Sequence, residues 1–378
     1  MPDEPGPVLT SSVPWGAAAL HRAHALLQRG EVVALPTETV YGLAADATNA
    51  AGVARIFEAK GRPLHNPLIV HVGETMTSVT ALEADGLVRR ESVTPAMRST
   101  ADALIAGCWP GPLTIILPRG PRLPDIVSGG LPSSGFRMPA HAVMLELLRH
   151  TGFPLAAPSA NRSNRVSPTT AAHVMTELEG RIPLIVDGGA ASIGVESTIV
   201  RIDDSGGVQL LRPGGMPIEQ VERLINRSAL PAPAPGGAIL TSGMMKEHYA
   251  PQTPLLLVHD DATHDLSRRI RAVAARPSVA RVGVLRMEGA PEAPSVWALG
   301  DAAVVAMVVA LDDGDHGDNR NDGERAARGL FAALRSLDDG RLDLILAQVP
   351  GSSRRGFWPA IADRLQRAGA RWNVPRYH

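Results

Sequence analysis

The stretch EVVALPTETVYGL, residues 31–43, decides how this chain is read. Its first half, EVVALP, is short and apolar, which predicts a buried strand. Its second half brings Thr37, Glu38, Thr39 and Tyr41 directly after that strand. Polar groups just beyond strand ends are where α/β proteins build their sites. Taken alone, the loop would be a turn with capping hydroxyls. Upstream, Leu20, Leu26 and Leu27 among alanines predict a helix over 15–29, which Gly30 ends.

The same alternation continues outward. A helix is expected around 50–60, a strand at PLIVHV (67–72) and a strand at PLTIILP (112–118). AVMLELLRH (142–150) reads as a short helix and PLAAPSA (154–160) as a strand. Ser167-Pro168-Thr169 has the form of a helix start, with a hydroxyl cap and proline in the first turn. IPLIVDGG, ESTIVRI and VQLLRPG, between 182 and 214, add three strands. Mixed strands and helices define an α/β fold.

Beyond 230 the texture changes. LPAPAPGGAILTSG (230–243) has neither helical nor strand period and reads as a linker or arm. A second alternation follows: strand 254–258, helix 265–276, strands 279–287 and 294–298, helix 324–337, strand 342–349 and helix 356–369. That order predicts a Rossmann-like three-layer domain. The polar segment 314–323 reads as a loop. The expected organisation is a domain over 1–227, a linker over 228–253 and a smaller domain over 254–378. A length of 378 residues agrees with two domains at ~100–200 residues each.

Composition narrows the function. A formal net charge of −1 argues against a protein that coats nucleic acid. Cys108 is the single cysteine, so no internal disulfide can form, and a reducing, cytoplasmic compartment is expected. Its apolar surroundings predict a buried core thiol. The N-terminus lacks the basic and apolar regions of a signal peptide, and no stretch is long and apolar enough to span a bilayer. The phosphate-binding loop G-x-x-x-x-G-K-[ST], the dinucleotide fingerprint and G-x-S-x-G are all absent. With one cysteine and no tight histidine pairing, no protein metal site is expected.

What remains is rich in cations and hydroxyls. Only Lys60 and Lys246 are lysine in a chain that otherwise writes arginine. Lys60 sits with Arg62 and Asn66 in AKGRPLHNP; an ammonium is a compact, rotatable point charge, unlike the planar guanidinium fork. Arg137 lies between apolar neighbours in GFRMPAH. APSANRSNRVSPT offers Ser159, Asn161 and Ser167, GVESTIV offers Ser197, and LLRPGG places Arg212 at a strand end. Singly, each is a turn or a paired surface charge. Together they suit a polyphosphate, where charge neutralisation and positioning do most of the work. Between 119 and 165, six arginines face only Asp125 and Glu146.

The ordered motifs LPTETVYGLAADA, AKGRPLHNPLIVHV, WPGPLTIIL, FRMPAH, PLAAPSANRSNRVSPT, DGG with GVESTIV, and LLRPGG resemble the YrdC-type threonylcarbamoyl-AMP synthases over about 15–225. SGMMKEHYAPQTPLLL and RGLFAALRSLDDGRLDLILAQVP resemble the longer, two-domain branch. The resemblance implies a YrdC-like open α/β domain with a twisted mixed sheet. It also implies synthesis of L-threonylcarbamoyl-AMP from threonine, bicarbonate and ATP, with Mg²⁺ accompanying ATP and pyrophosphate released. The product would pass to a separate tRNA threonylcarbamoyltransferase.

By motif, Lys60, Arg62, Ser159 and Asn161 would hold phosphates, and Asn66, Thr114, Ser167 and Arg212 would face ATP or the adenylate. Thr37, His71, Arg137, Ala157 and Ser197 would form the threonine pocket, with Arg137 on the carboxylate. Tyr249 would close over the site as a lid. Ala44, where glycine is usual, could shift its turn, and Phe136, where a small branched residue is commoner, could alter pocket width. Ser242-Gly243 replaces a usual Pro-Gly. The alternative is an RNA-binding or ribosome-associated module using the same basic face. Near-neutral charge and 3% aromatic residues favour the enzyme and predict no stable nucleic-acid binding. Carbamoyl-AMP-forming hydrogenase maturation proteins carry additional cysteines, which one cysteine does not match.

Overall fold

A computed structural model describes residues 8–231, 248–259, 281–287, 295–299, 302–311, 323–351 and 354–372. The chain divides into two compact units, Met1–Ser163 with Ser167–Met244, and Asn164–Val166 with Met245–His378.

In the first unit the elements begin with β1 (Ser11–Pro14), α1 (Ala17–Gln28), β2 (Val33–Leu35), β3 (Gly42–Asp46), α2 (Ala50–Lys60) and β4 (Ile69–His71). There follow α3 (Val79–Ala84), α4 (Pro95–Cys108), β5 (Leu113–Pro118), α5 (Asp125–Ser128), β6 (Ser133–Arg137) and α6 (Ala142–Thr151). The unit continues with β7 (Leu155–Ala156), α7 (Ala171–Leu178), β8 (Leu184–Asp187), β9 (Thr198–Ile202), β10 (Val208–Arg212) and α8 (Ile218–Ile225). The ten strands form one mixed sheet in the order β1-β8-β2-β3-β7-β4-β6-β5-β9-β10.

The inner strand β2, Val-Ala-Leu, is apolar and buried along its length because both faces of the sheet are covered there. Val33 and Leu35 join Leu20 and Leu27 of α1 and Met144 and Leu147 of α6 in one core. Val32, Ala34 and Leu43 point the other way, into a core with Ile56 of α2, Leu104 of α4 and Val174 of α7. Cys108 is buried, as its surroundings predicted, and burial pushes its thiol up to about 11.

Two junctions matter for the site. Asn49 caps α2 by accepting the Ala51 and Gly52 N–H groups, and Gly61 closes the helix at φ 60. Lys60 is therefore fixed in the last helical turn, where the helix dipole favours a cation. β4 and β6 run parallel in the register Ile69↔Gly135, Val70↔Phe136, His71↔Arg137. The imidazole and guanidinium so leave adjacent strand ends side by side.

The sequence reading departs from the structure at several places. PLAAPSA forms only the two-residue β7, flanked by Pro154 and Pro158, which have no N–H to give a ladder. The helix expected to start at Ser167–Thr169 starts at Ala171, capped by Thr170, whose hydroxyl accepts the His173 N–H. The Pro168 carbonyl is instead engaged by the Tyr41 N–H at 2.9 Å. β3 and β6 run through GLAAD and SSGFR, where no strand was expected. Ala44 pairs with Val33 inside β3, so no glycine-dependent turn occurs there. Phe136 is fully buried in the core.

The second unit contains β11 (Leu255–His259), β12 (Arg281–Arg286), β13 (Ser295–Leu299), β14 (Ala302–Ala310), α9 (Glu324–Leu337), β15 (Leu344–Val349) and α10 (Trp358–Ala370). Its sheet order is β11-β15-β12-β14-β13, parallel except for β13. The long β14 was not anticipated, although AAVVAMVVA is continuous apolar sequence. α9 and α10 pack against each other, and their Leu330, Phe331, Leu334, Ile361 and Leu365 are buried. The helix expected over 265–276 lies outside the described residues, as does nearly all of 314–323. No helix among the described residues is long and apolar enough to cross a membrane.

Candidate functional site

The loop between β2 and β3 is a scaffold built by its own hydroxyls. Thr37 Oγ1 donates to the Val40 carbonyl at 2.7 Å and accepts the Thr39 and Val40 N–H groups. The turn holds Glu38 and Thr39 toward Arg137. The Tyr41 hydroxyl, donating to the Gly189 carbonyl at 2.7 Å, anchors the far end of the loop. Burial raises that phenol far above its usual range.

Arg137 is 3% exposed. Its Nε donates to the Gly111 carbonyl at 3.2 Å and Nη1 to Thr39 Oγ1 at 3.0 Å. Nη2 approaches a Glu38 carboxylate oxygen to 2.6 Å, an ion pair without an aligned hydrogen bond. A guanidinium has five N–H donors, so Arg137 retains donors for an incoming anion. His71, its register partner, is pushed down to about 3 by burial and by the Arg137 charge, and is neutral at neutral pH. Its Nδ1 has no hydrogen-bond partner among the described residues. Ala157 closes the same region, its N–H donating to the Ile69 carbonyl at 3.0 Å.

A second centre forms around Lys60. Nζ donates to the Ser159 carbonyl at 2.6 Å and to the Asn161 carbonyl. Burial, reinforced by the neighbouring Arg62 charge and opposed by Glu177, lowers this ammonium well below its ordinary range. Arg62 turns back on its own loop, Nε to the Asn66 carbonyl at 3.1 Å and Nη2 to the Pro67 carbonyl at 2.9 Å. Asn66, whose carbonyl accepts from Arg62, and Asn161, whose carbonyl accepts from Lys60, are both buried.

A third set joins β5, β9 and β10. Thr114 Oγ1 and Ser197 Oγ lie 2.8 Å apart. Arg212 donates to the Ser197 carbonyl at 2.8 Å and to its hydroxyl at 3.2 Å. The register shift between Leu210 and Arg212 accompanies this aim. The expectation assigned Thr114 and Arg212 to nucleotide and Ser197 to threonine; the three form one hydrogen-bonded set. Ser167 donates to Glu196 at 2.5 Å, one residue from Ser197.

Backbone hydrogen bonds link the first two centres through the 31–43 stretch. The Leu43 N–H donates to the Pro158 carbonyl and the Ala160 N–H to the Tyr41 carbonyl. The Ile193 N–H reaches the Glu38 carbonyl at 2.8 Å and the Gly194 N–H that of Thr39. The same loop therefore holds Glu38 and Thr39 at Arg137 and steadies the carbonyls that hold Lys60.

Tyr249 lies in the second unit, fully buried at φ 62. Its ring stacks on Phe331 with centroids 5.6 Å apart, and Arg364 lies 5.1 Å from the ring centroid. These contacts are internal to that unit. Sequence reasoning assigned no role to Glu38 and did not consider Glu196, because a set defined by cations and hydroxyls does not call for carboxylates. The readable signal for Glu38 was its place between Thr37 and Thr39.

The fold and these centres define a two-unit α/β enzyme with a buried site of cations and hydroxyls. A family model described as "Telomere recombination" matches residues 25–214, and one described as the threonylcarbamoyl-AMP synthase C-terminal domain matches 216–370. Threonylcarbamoyl-AMP synthases of Pyrococcus abyssi and Bacillus subtilis are 36% and 39% identical to it, each match covering 92% of both chains. A crystal structure of the P. abyssi protein, Sua5, complexed with L-threonine aligns with a TM-score of 0.77 at 34% identity, covering 97% of this chain and 98% of that one. The chain belongs to the threonylcarbamoyl-AMP synthase family, in its two-domain form.

Proposed function

We propose that this enzyme makes L-threonylcarbamoyl-AMP from L-threonine, bicarbonate and ATP, releasing pyrophosphate, as the intermediate for threonylcarbamoyl-adenosine in tRNA. The observation that carries the reading is the shared loop. One thirteen-residue stretch supports an arginine with unused donors beside a neutral imidazole, and also the carbonyls that seat Lys60. An amino acid at the first centre and phosphates at the second would then be positioned by one rigid element.

In this reading Arg137 takes the threonine carboxylate, a geometry a guanidinium serves well. Thr37, His71, Ala157 and Ser197 line the pocket. Threonine nitrogen and bicarbonate carbon join with loss of water and a proton, giving the carbamate. A carbamate oxygen then attacks the α-phosphorus, and the bond to the β-phosphate oxygen breaks. Lys60, Arg62, Ser159 and Asn161 hold the phosphates, with Asn66, Thr114, Ser167 and Arg212 around the nucleotide. Carbonyl anchoring of Lys60, Arg62 and Arg212 keeps the cations in place before charge develops.

Among the described residues no three His, Cys, Asp or Glu side chains cluster as a metal site. Glu38 and Glu196 are turned to Arg137 and Ser167. This donor set fits Mg²⁺ arriving chelated by ATP, where it would neutralise phosphate charge. Tyr249 is proposed as the lid that keeps water from the mixed anhydride, and a separate tRNA threonylcarbamoyltransferase as the acceptor of the product. The reading is tested by pyrophosphate release: it should require threonine, bicarbonate and ATP together. Release at the same rate without threonine would contradict it.

A further inference from the structure

Glu38 is a buried charged group that the reading above leaves without a task. Its side chain is 5% exposed. A carboxylate has about four lone-pair positions, yet neither Glu38 oxygen has an aligned hydrogen bond. Its described partner is Arg137, and that contact is a 2.6 Å approach of one nitrogen to one oxygen. Burying a carboxylate this incompletely satisfied is unfavourable. Were its task only to steady Arg137, two aligned bonds to the fork would do so better.

The backbone beneath it is held firmly. The Glu38 carbonyl accepts the Ile193 N–H at 2.8 Å, and Thr37 locks the turn on one side. His141, the other titratable group facing Glu38, is lowered by burial and does not supply a competing cation at neutral pH. The result is an adjacent pair of opposite charges, both with unused hydrogen-bonding capacity, one on the loop between β2 and β3 and one at the end of β6.

We infer that Glu38 receives the α-ammonium of the amino-acid substrate while Arg137 receives its carboxylate. This rests on the placement of threonine at Arg137. An α-amino acid carries both charges on one carbon, and the Glu38–Arg137 pair presents their complements side by side. On binding, each protein group exchanges a misaligned partner for an aligned one. The pair thereby reads the zwitterion, and a hydroxy acid of the same shape gains only half of it. Glu38 is in this sense a specificity-determining residue for the amine that must later join the bicarbonate carbon.

The test is calorimetric titration of the full chain with L-threonine and with (R)-3-hydroxybutyrate, which lacks only the amine. The wild-type protein should prefer threonine by at least ~10-fold, the scale of one charge-assisted contact. Glu38→Gln should weaken threonine by a similar factor and leave hydroxybutyrate unchanged or tighter, since a competitor for Arg137 has been neutralised. Glu38→Asp, which keeps the charge, should retain the preference. Equal loss of both ligands in Glu38→Gln, or threonine binding unchanged or improved, would overturn the inference. If that variant does not fold, equal wild-type affinities for the two ligands would overturn it. Threonine binding by Arg137→Gln as tight as by the wild type would instead remove the underlying pocket assignment and this inference with it.

Discussion

Replacing Lys60 with methionine separates the two centres most cleanly. Methionine keeps the length of the stem and removes the charge and its donors. The wild-type ammonium gives one N–H to the Ser159 carbonyl at 2.6 Å and another to the Asn161 carbonyl. Hydrogen bonds involving a charged group contribute ~1.5–3 kcal/mol each. Against that loss stands relief of the burial that lowers the Lys60 pKa. The net expectation is a local destabilisation of about 2–4 kcal/mol. Two compact units need not unfold in one step, so hydrogen exchange over residues 157–163 is the appropriate readout, beside urea unfolding. ATP affinity should fall ~10–100-fold, the equivalent of one lost phosphate contact. Threonine affinity should stay within ~3-fold of wild type, because Arg137 and its partners are untouched. A folded variant in which ATP and threonine weaken equally would refute the division into two centres. Unchanged exchange over 157–163 would refute the anchoring role.

Other perturbations probe the neighbouring contacts. Ser197→Ala removes a hydroxyl that meets Thr114 at 2.8 Å and Arg212 at 3.2 Å; it should cost about 1–3 kcal/mol and weaken both threonine and ATP in titrations, and loss of one ligand alone would contradict the shared set. Gly214→Ala would set a Cβ 2.3 Å from the Glu196 carbonyl oxygen and 2.4 Å from the Thr198 nitrogen, so thermal unfolding should show a loss of at least ~2 kcal/mol; an unchanged midpoint would show that the 213–215 turn relaxes freely. His71 is held at about 3 when folded, against an ordinary 6.5. Between those values the unfolded chain binds the proton and the folded chain does not, so its contribution is complete above 6.5 and is lost as pH falls toward 3, at up to ~1.4 kcal/mol per pH unit. His71→Gln should flatten the slope of stability against pH in that window, and an identical slope would contradict the buried neutral imidazole.

The first unit was legible where period and punctuation agreed. Val33–Leu35 reads as a strand because it is buried on both faces, and α2 ends at Lys60 because Gly61 takes the left-handed conformation. β6 was hidden because Gly135 and Arg137 interrupt its apolar pattern; Gly135 is there because a Cβ would meet Thr114 at 2.9 Å. The start of α7 was misplaced by three residues because Pro168 serves the Tyr41 N–H rather than a helix. Arg137 stood out by its apolar neighbours, and it is a paired charge as its ordinary reading has it, but the pair with Glu38 is buried rather than at the surface. What sequence could not convey is that Lys60, Arg62 and Arg212 are seated by main-chain carbonyls. Carbonyl positions depend on the tertiary path of the 157–163 and 196–198 segments, which no local pattern encodes.

The central claim, that threonine is carboxylated and adenylated on this chain, is tested most directly by mass spectrometry of a reaction with ATP, L-threonine and carbon-13 bicarbonate. The account predicts a threonine-dependent adenylate whose carbamoyl carbon carries the label. ATP consumed with no labelled threonine adduct of AMP, or an adduct lacking the bicarbonate carbon, would contradict it.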